Sequence, residues 1–201
     1  MGFNVDGIKG FLDPEEGNRL YDLACEVSAI GPCLEIGSYC GKSTVYLGRA
    51  CQQSDNILFS VDHHQGSEEH QPGEEYHDTE LFDVQAGVMD SFRTFRATLA
   101  AAEIEDVVVS IVSSSGLAAR FWNTRLGMVF IDGGHSQEAA QTDYRCWAPW
   151  IQQGGYLAIH DVFPNPDDGG RAPFEIYQLA RASGLFEVKA MTKTLGVLKR
   201  L

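Results

Sequence analysis

Five short apolar runs set the rhythm of this chain: CLEIG at 33–37, NILFSVD at 56–62, VVVSIV at 107–112, GMVFID at 127–132 and YLAIHD at 156–161. Between them lie segments of helical spacing. Leu20, Leu23, Ala24, Val27 and Ile30 follow the helix start at Asp13-Pro14 and stop at Gly31-Pro32. A second helix starts near Gly41, and a third is expected over 84–102, with Val88, Phe92, Phe95 and Leu99 on one face. Further helices are expected over 116–123, 136–151 and 174–183, and the end reads as a β-hairpin. Strands alternating with helices make an α/β domain with a mainly parallel sheet. At 201 residues the chain is expected to be one domain, with an N-terminal helical segment at 1–30.

In open α/β sheets, ligands bind beyond the carboxyl ends of the strands. Those ends are Glu35-Ile36-Gly37, Asp62, Val112-Ser113-Ser114, Asp132 and His160-Asp161. Every one carries a polar or acidic group, and that set weighs more than any single motif.

The first strand end continues as GSYCGKS, which resembles a phosphate-binding loop. That loop needs four residues between its glycines, and here three separate Gly37 from Gly41. Glu35 would also repel a triphosphate. A nucleotide-phosphate enzyme using Lys42 and Ser43 is therefore disfavoured. Glycine at 37 and 41 is expected to let a ligand approach the backbone. Asp62, at the next strand end, is placed to accept from a ribose diol, so the pair points to an adenosine-type cofactor.

With 28 acids against 15 bases the net charge is −13. That speaks against nucleic acid and against an anionic membrane surface as partners. The five cysteines are odd in number and form no C-x-x-C, so free thiols in a reducing cytoplasm are expected. No apolar run has the length of a membrane span.

LEIGSYCGKSTVYLGRA, FSVDHH, MVFIDGGHSQE and GGYLAIHD, taken in order, resemble the class I S-adenosylmethionine-dependent methyltransferases. Within them, the chain is similar to the small-molecule O-methyltransferases with I-D-G-x-H-x-x-E after strand four. The resemblance covers about Cys33 to Asp161 and implies a Rossmann-like, mainly parallel seven-stranded sheet with a C-terminal hairpin and helices on both faces. It implies that Gly37, Ser38, Gly41 and Ser43 form the cofactor loop, with Glu35 near the sulfonium and amino end. It places Asp62 and His63 by the ribose, Ser113 or Ser114 by the adenine, and Asp132 at the cofactor's edge. Lys42 becomes a solvated helix residue.

Asp132, His135, Glu138, His160 and Asp161 form a second constellation. Two carboxylates and an imidazole suit a divalent ion such as Mg²⁺ or Mn²⁺. The resemblance implies that Asp132, His160 and Asp161 would hold it and lower the pKa of a substrate hydroxyl, although His160 stands where those enzymes usually carry a carboxylate. A metal-free site would use His135 or His160 as general base. The bland alternative is that the two aspartates cap loops. The long polar segment His63 to Asp78, within a lid-like region at 63–83, is expected to cover the site. Trp147, Trp150 and Phe121 are expected in the core. The functional expectation is methylation of a small-molecule hydroxyl, on a sugar, a polyketide or a phenol. A non-catalytic cofactor-binding module is the competing reading. The apolar segment 3–12 is a candidate homodimer contact.

Overall fold

The computed structural model describes residues 5–67, 71, 73, 77–165 and 170–201. Five parallel strands make most of the sheet: β1 (Cys33–Ile36), β2 (Leu58–Asp62), β5 (Val108–Val112), β6 (Leu126–Ile131) and β7 (Ile151–Ile159). The terminal hairpin, β8 (Phe186–Val188) and β9 (Gly196–Arg200), adds antiparallel pairs against β7. The order is β5-β2-β1-β6-β7-β9-β8, so the chain winds outward in both directions from β1. The gap between β1 and β6 is thus the switch point where such sheets bind ligands.

Strand alternation sends side chains to two faces. Cys33, Leu58, Met128, Phe130 and Ala158 pack under α1 (Pro14–Glu26), α2 (Lys42–Gln53) and α3 (Phe92–Ala101). Leu34, Val61, Val129, Ile131 and Leu157 pack on the other side, with α5 (Gln137–Trp147), α6 (Ala172–Ala182) and the short α4 (Ser115–Ala118). Both faces of β1, β2, β6 and β7 are covered, which explains their continuous apolar runs, whereas the edge strand β5 leaves Val109 and Val112 of the VVVSIV run exposed. Helix α1 opens on a capping box: Asp13 accepts from Glu15 N at 2.8 Å, and Glu16 accepts from Asp13 N at 3.3 Å.

Four expectations need correction. The helix expected over 84–102 begins only at Phe92. Ahead of it, β3 (Phe82–Asp83) and β4 (Val88–Met89) form a small hairpin. Asp83 caps its turn by accepting from Gln85 N and Ala86 N, and Gly87 takes the positive φ, so Val88 belongs to a strand. The helix expected over 136–151 stops at Trp147, because Pro149 cannot continue it. Strand β7 then starts at Ile151, and Gly154-Gly155 lies inside it rather than before it. A Cβ at Gly155 would meet Gly127 O at 2.4 Å, so the backbones pass too closely for any side chain. Last, Phe121 is 94% exposed and not core, whereas Trp147 is fully buried.

All five cysteines are free thiols. Among the described residues, no helix is long and apolar enough to cross a membrane. Phe3 of the N-terminal apolar segment, and Glu68, Glu69, His70, Glu74 and Glu75 of the polar loop, lie outside the described residues.

Candidate active site

The loop after β1 is built by Asp62 at the end of β2. Its Oδ2 accepts from Ser38 N at 2.9 Å and Tyr39 N at 2.8 Å, and its Oδ1 from His64 N at 2.7 Å. Gly37 has φ +83, and a Cβ there would lie 2.0 Å from Asp132 O. Glycine at 37 therefore lets β1 and β6 end side by side. Gly41, with φ +92, packs against Phe95 and Thr98 of α3. Both glycines are required by protein packing, and Gly37 also lines the cleft in front of the loop. Lys42 is not simply solvated: its Nζ donates to Gly10 O at 3.1 Å.

Glu35 is fully buried behind this loop. It accepts from Ser43 Oγ at 3.0 Å and from Thr44 Oγ1 at 2.6 Å, both in the first turn of α2. Burial pushes its pKa up to about 7 against the pull of those hydroxyls. Glu35 and Ser43 thus shape the loop from beneath.

In front of the loop, a cleft of about 490 Å³ opens over the switch point. Its size is that of a small-molecule site. Ile36, Val61 and Ala139 give it apolar wall, and Asp62, His63, Ser113, Ser114, Asp132 and Glu138 reach it from four elements. Gly66 and Ser67, at the start of the lid-like segment, also line it. The histidines of that segment divide. His64 is a buried packing residue, with Nδ1 2.9 Å from Ser91 Oγ and its ring against Phe92 and Phe95. The His77 ring lies against Phe82.

Beside the cleft, the ends of β6 and β7 bring Asp132, His160 and Asp161 together. One ligand atom from each lies within 4.8 Å of the others. His160 Nδ1 is 3.0 Å from Asp132 Oδ1 and 3.3 Å from Asp161 Oδ2. Its Nε2 is 3.0 Å from Glu16 Oε2. Asp161 has φ +54, a left-handed conformation that aspartate tolerates and that turns its carboxylate back toward the cluster. His135 Nε2 closes the group, 3.1 Å from Asp161 Oδ2.

The electrostatics follow from these contacts. Burial opposes a charged His160, but the charge of Asp132 and the hydrogen bonds to Asp132, Asp161 and Glu16 outweigh it, so the ring's pKa is held well above the ordinary range. Burial raises Asp161, and its hydrogen bonds to His135 and His160 pull it well below the usual carboxylate range. With both ring nitrogens facing carboxylates, His160 has no nitrogen left for a substrate proton. Of the two histidines expected as a base, His135 is the one whose ring meets a single carboxylate of this cluster, Asp161 Oδ2.

Glu16 was missed by the sequence reading. Its Oε1 accepts from Thr194 N at 2.8 Å and Thr194 Oγ1 at 2.7 Å, while Oε2 serves His160. The capping box was a visible signal, but a cap does not reveal a partner on another strand. Asp143 was missed too, although it sits on the buried stripe of α5 between Ala140 and Trp147.

Residues 34–162 match the family described as "Methyltransferase domain". The structure is similar to that of a putative caffeoyl-CoA O-methyltransferase from Staphylococcus aureus, at 12% identity over 96% of this chain and 86% of that one, with a TM-score of 0.67. It is also similar to the O-methyltransferase NovP, at 16% identity over 93% and 80%, TM-score 0.67. A third is the O-methyltransferase TomG from Streptomyces achromogenes, solved in complex with SAM, at 16% identity over 95% and 82%, TM-score 0.61. At such identities the likeness is one of fold.

Proposed function

The chain belongs to the methyltransferase-domain family and is an S-adenosylmethionine-dependent methyltransferase; from that premise we propose that it methylates a hydroxyl oxygen of a small molecule. The observation that carries the acceptor chemistry is the Asp132–His160–Asp161 cluster at the edge of the cofactor cleft. A methyl acceptor oxygen must lose its proton, and this is where the structure concentrates groups that can promote the loss.

The cleft residues fit the cofactor. Asp62 Oδ1 holds one backbone donor and retains a lone pair for a ribose hydroxyl. S-adenosylmethionine, when bound, supplies an electrophilic methyl group whose departure leaves a neutral thioether. The protein's share is then alignment of the acceptor with that methyl group and exclusion of water.

The cluster also fits a divalent cation. Asp132 Oδ1, Asp161 Oδ2 and His160 Nδ1 would hold it, with Glu16 on Nε2 orienting the ring as a carboxylate partner commonly does for a metal-bound histidine. Such an ion would supply Lewis acidity to the acceptor oxygen. A metal-free reading is favoured by the pairing of His135 with Asp161 at 3.1 Å. There, the His135 imidazole takes the acceptor's proton and Asp161 Oδ2 stabilises the resulting cation.

The test is transfer of a labelled methyl group to a panel of catechols, phenols and sugars, with amines and thiols as controls, with and without EDTA. Labelling of hydroxyl acceptors supports the reading, and labelling of amines or thiols alone would sink it. EDTA-sensitive turnover restored by Mg²⁺ selects the metal form. EDTA-resistant turnover selects His135.

A further inference from the structure

One edge of the sheet is left open. Strand β5 has β2 on one side and, among the described residues, no strand on the other. Ladder bonds alternate between the two sides of a strand. Leu58 N donates to Val107 O at 2.9 Å and Ser113 N donates to Asp62 O at 3.1 Å, so the odd-numbered residues of β5 bond to β2. The backbone N–H and C=O groups of Val108, Ser110 and Val112 therefore point outward. Natural sheets blunt such an edge with a charge, a proline or a bulge. The strand VVSIV has no charged residue or proline, and its register against β2 runs without a shift.

The residues around this edge are apolar and free of acid. Val109 is 43% exposed and Val112 52%, and on the connection that follows, Leu117 is 58% and Phe121 94% exposed. From Val107 to Arg125 there is no Asp or Glu, although the chain carries 28 acids and a net charge of −13. Two such acidic chains repel over most of their surface, and this span is where they can meet without like charges. The strand is also self-complementary. In an antiparallel pair centred on Ser110, Val108 stands opposite Val112 of the second copy and Ser110 opposite itself. These are the residues whose backbone groups point outward, and opposed residues of that kind exchange both their hydrogen bonds. Val109 then meets Ile111 of the second copy.

We propose that two copies of this chain pair through β5, antiparallel about a two-fold axis at Ser110, and so join their sheets into one. A two-fold contact is closed: it satisfies both edges and stops at the dimer. Backbone pairing fixes the register, and the exposed Leu117 and Phe121 add apolar surface beside it. Val5 and Leu12 of the N-terminal segment, the dimer contact expected from the sequence, are instead buried in the chain's own core.

The experiment is sedimentation equilibrium of the full chain, as wild type and as Ser110→Lys, over a range of concentrations. Wild type is expected to approach twice the 22.1 kDa of one chain. In Ser110→Lys each lysine faces its own copy at the axis, where like charges directly opposite one another oppose pairing, so the dimer should be lost. Ser110→Glu should lose it for the same reason, and an equimolar mixture of the two variants should restore it. Ser110 is exposed and its backbone takes no part in the ladder to β2, so both variants are expected to fold, which circular dichroism checks. Wild type that stays at 22.1 kDa at every concentration overturns the proposal, and a different protein would then be the occupant of the edge. A dimer that persists in Ser110→Lys, or a mixture that stays monomeric, overturns it as well. Should a variant not fold, amide hydrogen exchange of the wild type carries the test. The amides of Val108, Ser110 and Val112 should gain protection as concentration rises through dimerisation, and exchange that does not change at these positions overturns the pairing.

Discussion

Glu16 Oε2 lies 3.0 Å from His160 Nε2, joining the first turn of α1 to the end of β7 across 144 residues of chain. Both side chains are nearly inaccessible, at 3% and 5%. The same carboxylate closes the cap of α1 and holds Thr194 of the terminal hairpin. The N-terminal helix is thereby part of the site, because it fixes which way the imidazole of His160 faces.

Substituting Glu16 by Gln should therefore destabilise the fold as well as the site. The buried charged His160 loses one compensating carboxylate, at a cost of about 1–3 kcal/mol. Urea unfolding at neutral pH checks this. An unchanged midpoint would mean that the contact is not formed in solution.

Glu35 gives a pH prediction with a definite sign. Its folded pKa, about 7, lies above the ordinary carboxyl value of 4.5 because burial penalises the charge. Its favourable contribution is thus complete below pH 4.5 and is lost as pH rises to about 7. Glu35→Gln mimics the protonated form. It should match wild type near pH 4.5 and exceed it by about 3 kcal/mol at pH 8. Denaturant curves of both proteins across that span measure the difference, and a constant offset would contradict the assignment.

Asp132→Ala and Asp161→Ala should each lower turnover by about 10²-fold or more, the scale of a lost acid–base or metal contribution. Binding of S-adenosylhomocysteine should largely survive, because the loop packs on the Asp132 backbone carbonyl and not on its carboxylate. Parallel loss of binding and turnover would place these residues in the cofactor's own site.

Gly37→Ala should damage both fold and cofactor binding. The position has φ +83, and the new methyl group would meet Asp132 O at 2.0 Å. A cost of roughly 1–3 kcal/mol for the backbone conformation alone is expected. Thermal unfolding and cofactor titration test it together, and a variant with wild-type behaviour would refute the close approach of β1 and β6.

Much of the fold was legible because its signals are local. Alternating apolar strands and amphipathic helices mark the α/β class, and the acidic strand ends mark the edge where the cleft opens. The errors arose where a local pattern had two solutions. Val88 fits the helical spacing of Phe92 and Phe95, yet the Asp83–Gly87 turn commits it to a hairpin. Gly154-Gly155 reads as a turn, yet its meaning is a backbone crossing at Gly127. Within the site, the convergence of Asp132, His160 and Asp161 followed from strand order. The Glu16 partnership did not, since a residue that caps its own helix gives no sign of a contact 144 positions away. The inward direction of Glu35, toward Ser43 and Thr44, became visible only when strand register was known.

The central claim is that the loop after β1 serves a sulfonium cofactor and not a nucleotide triphosphate. Isothermal titration of the purified protein with S-adenosylhomocysteine, with ATP as control, tests it most directly. The account predicts saturable one-to-one binding of S-adenosylhomocysteine and no heat from ATP, with or without Mg²⁺. Saturable binding of ATP with no response to S-adenosylhomocysteine would contradict it.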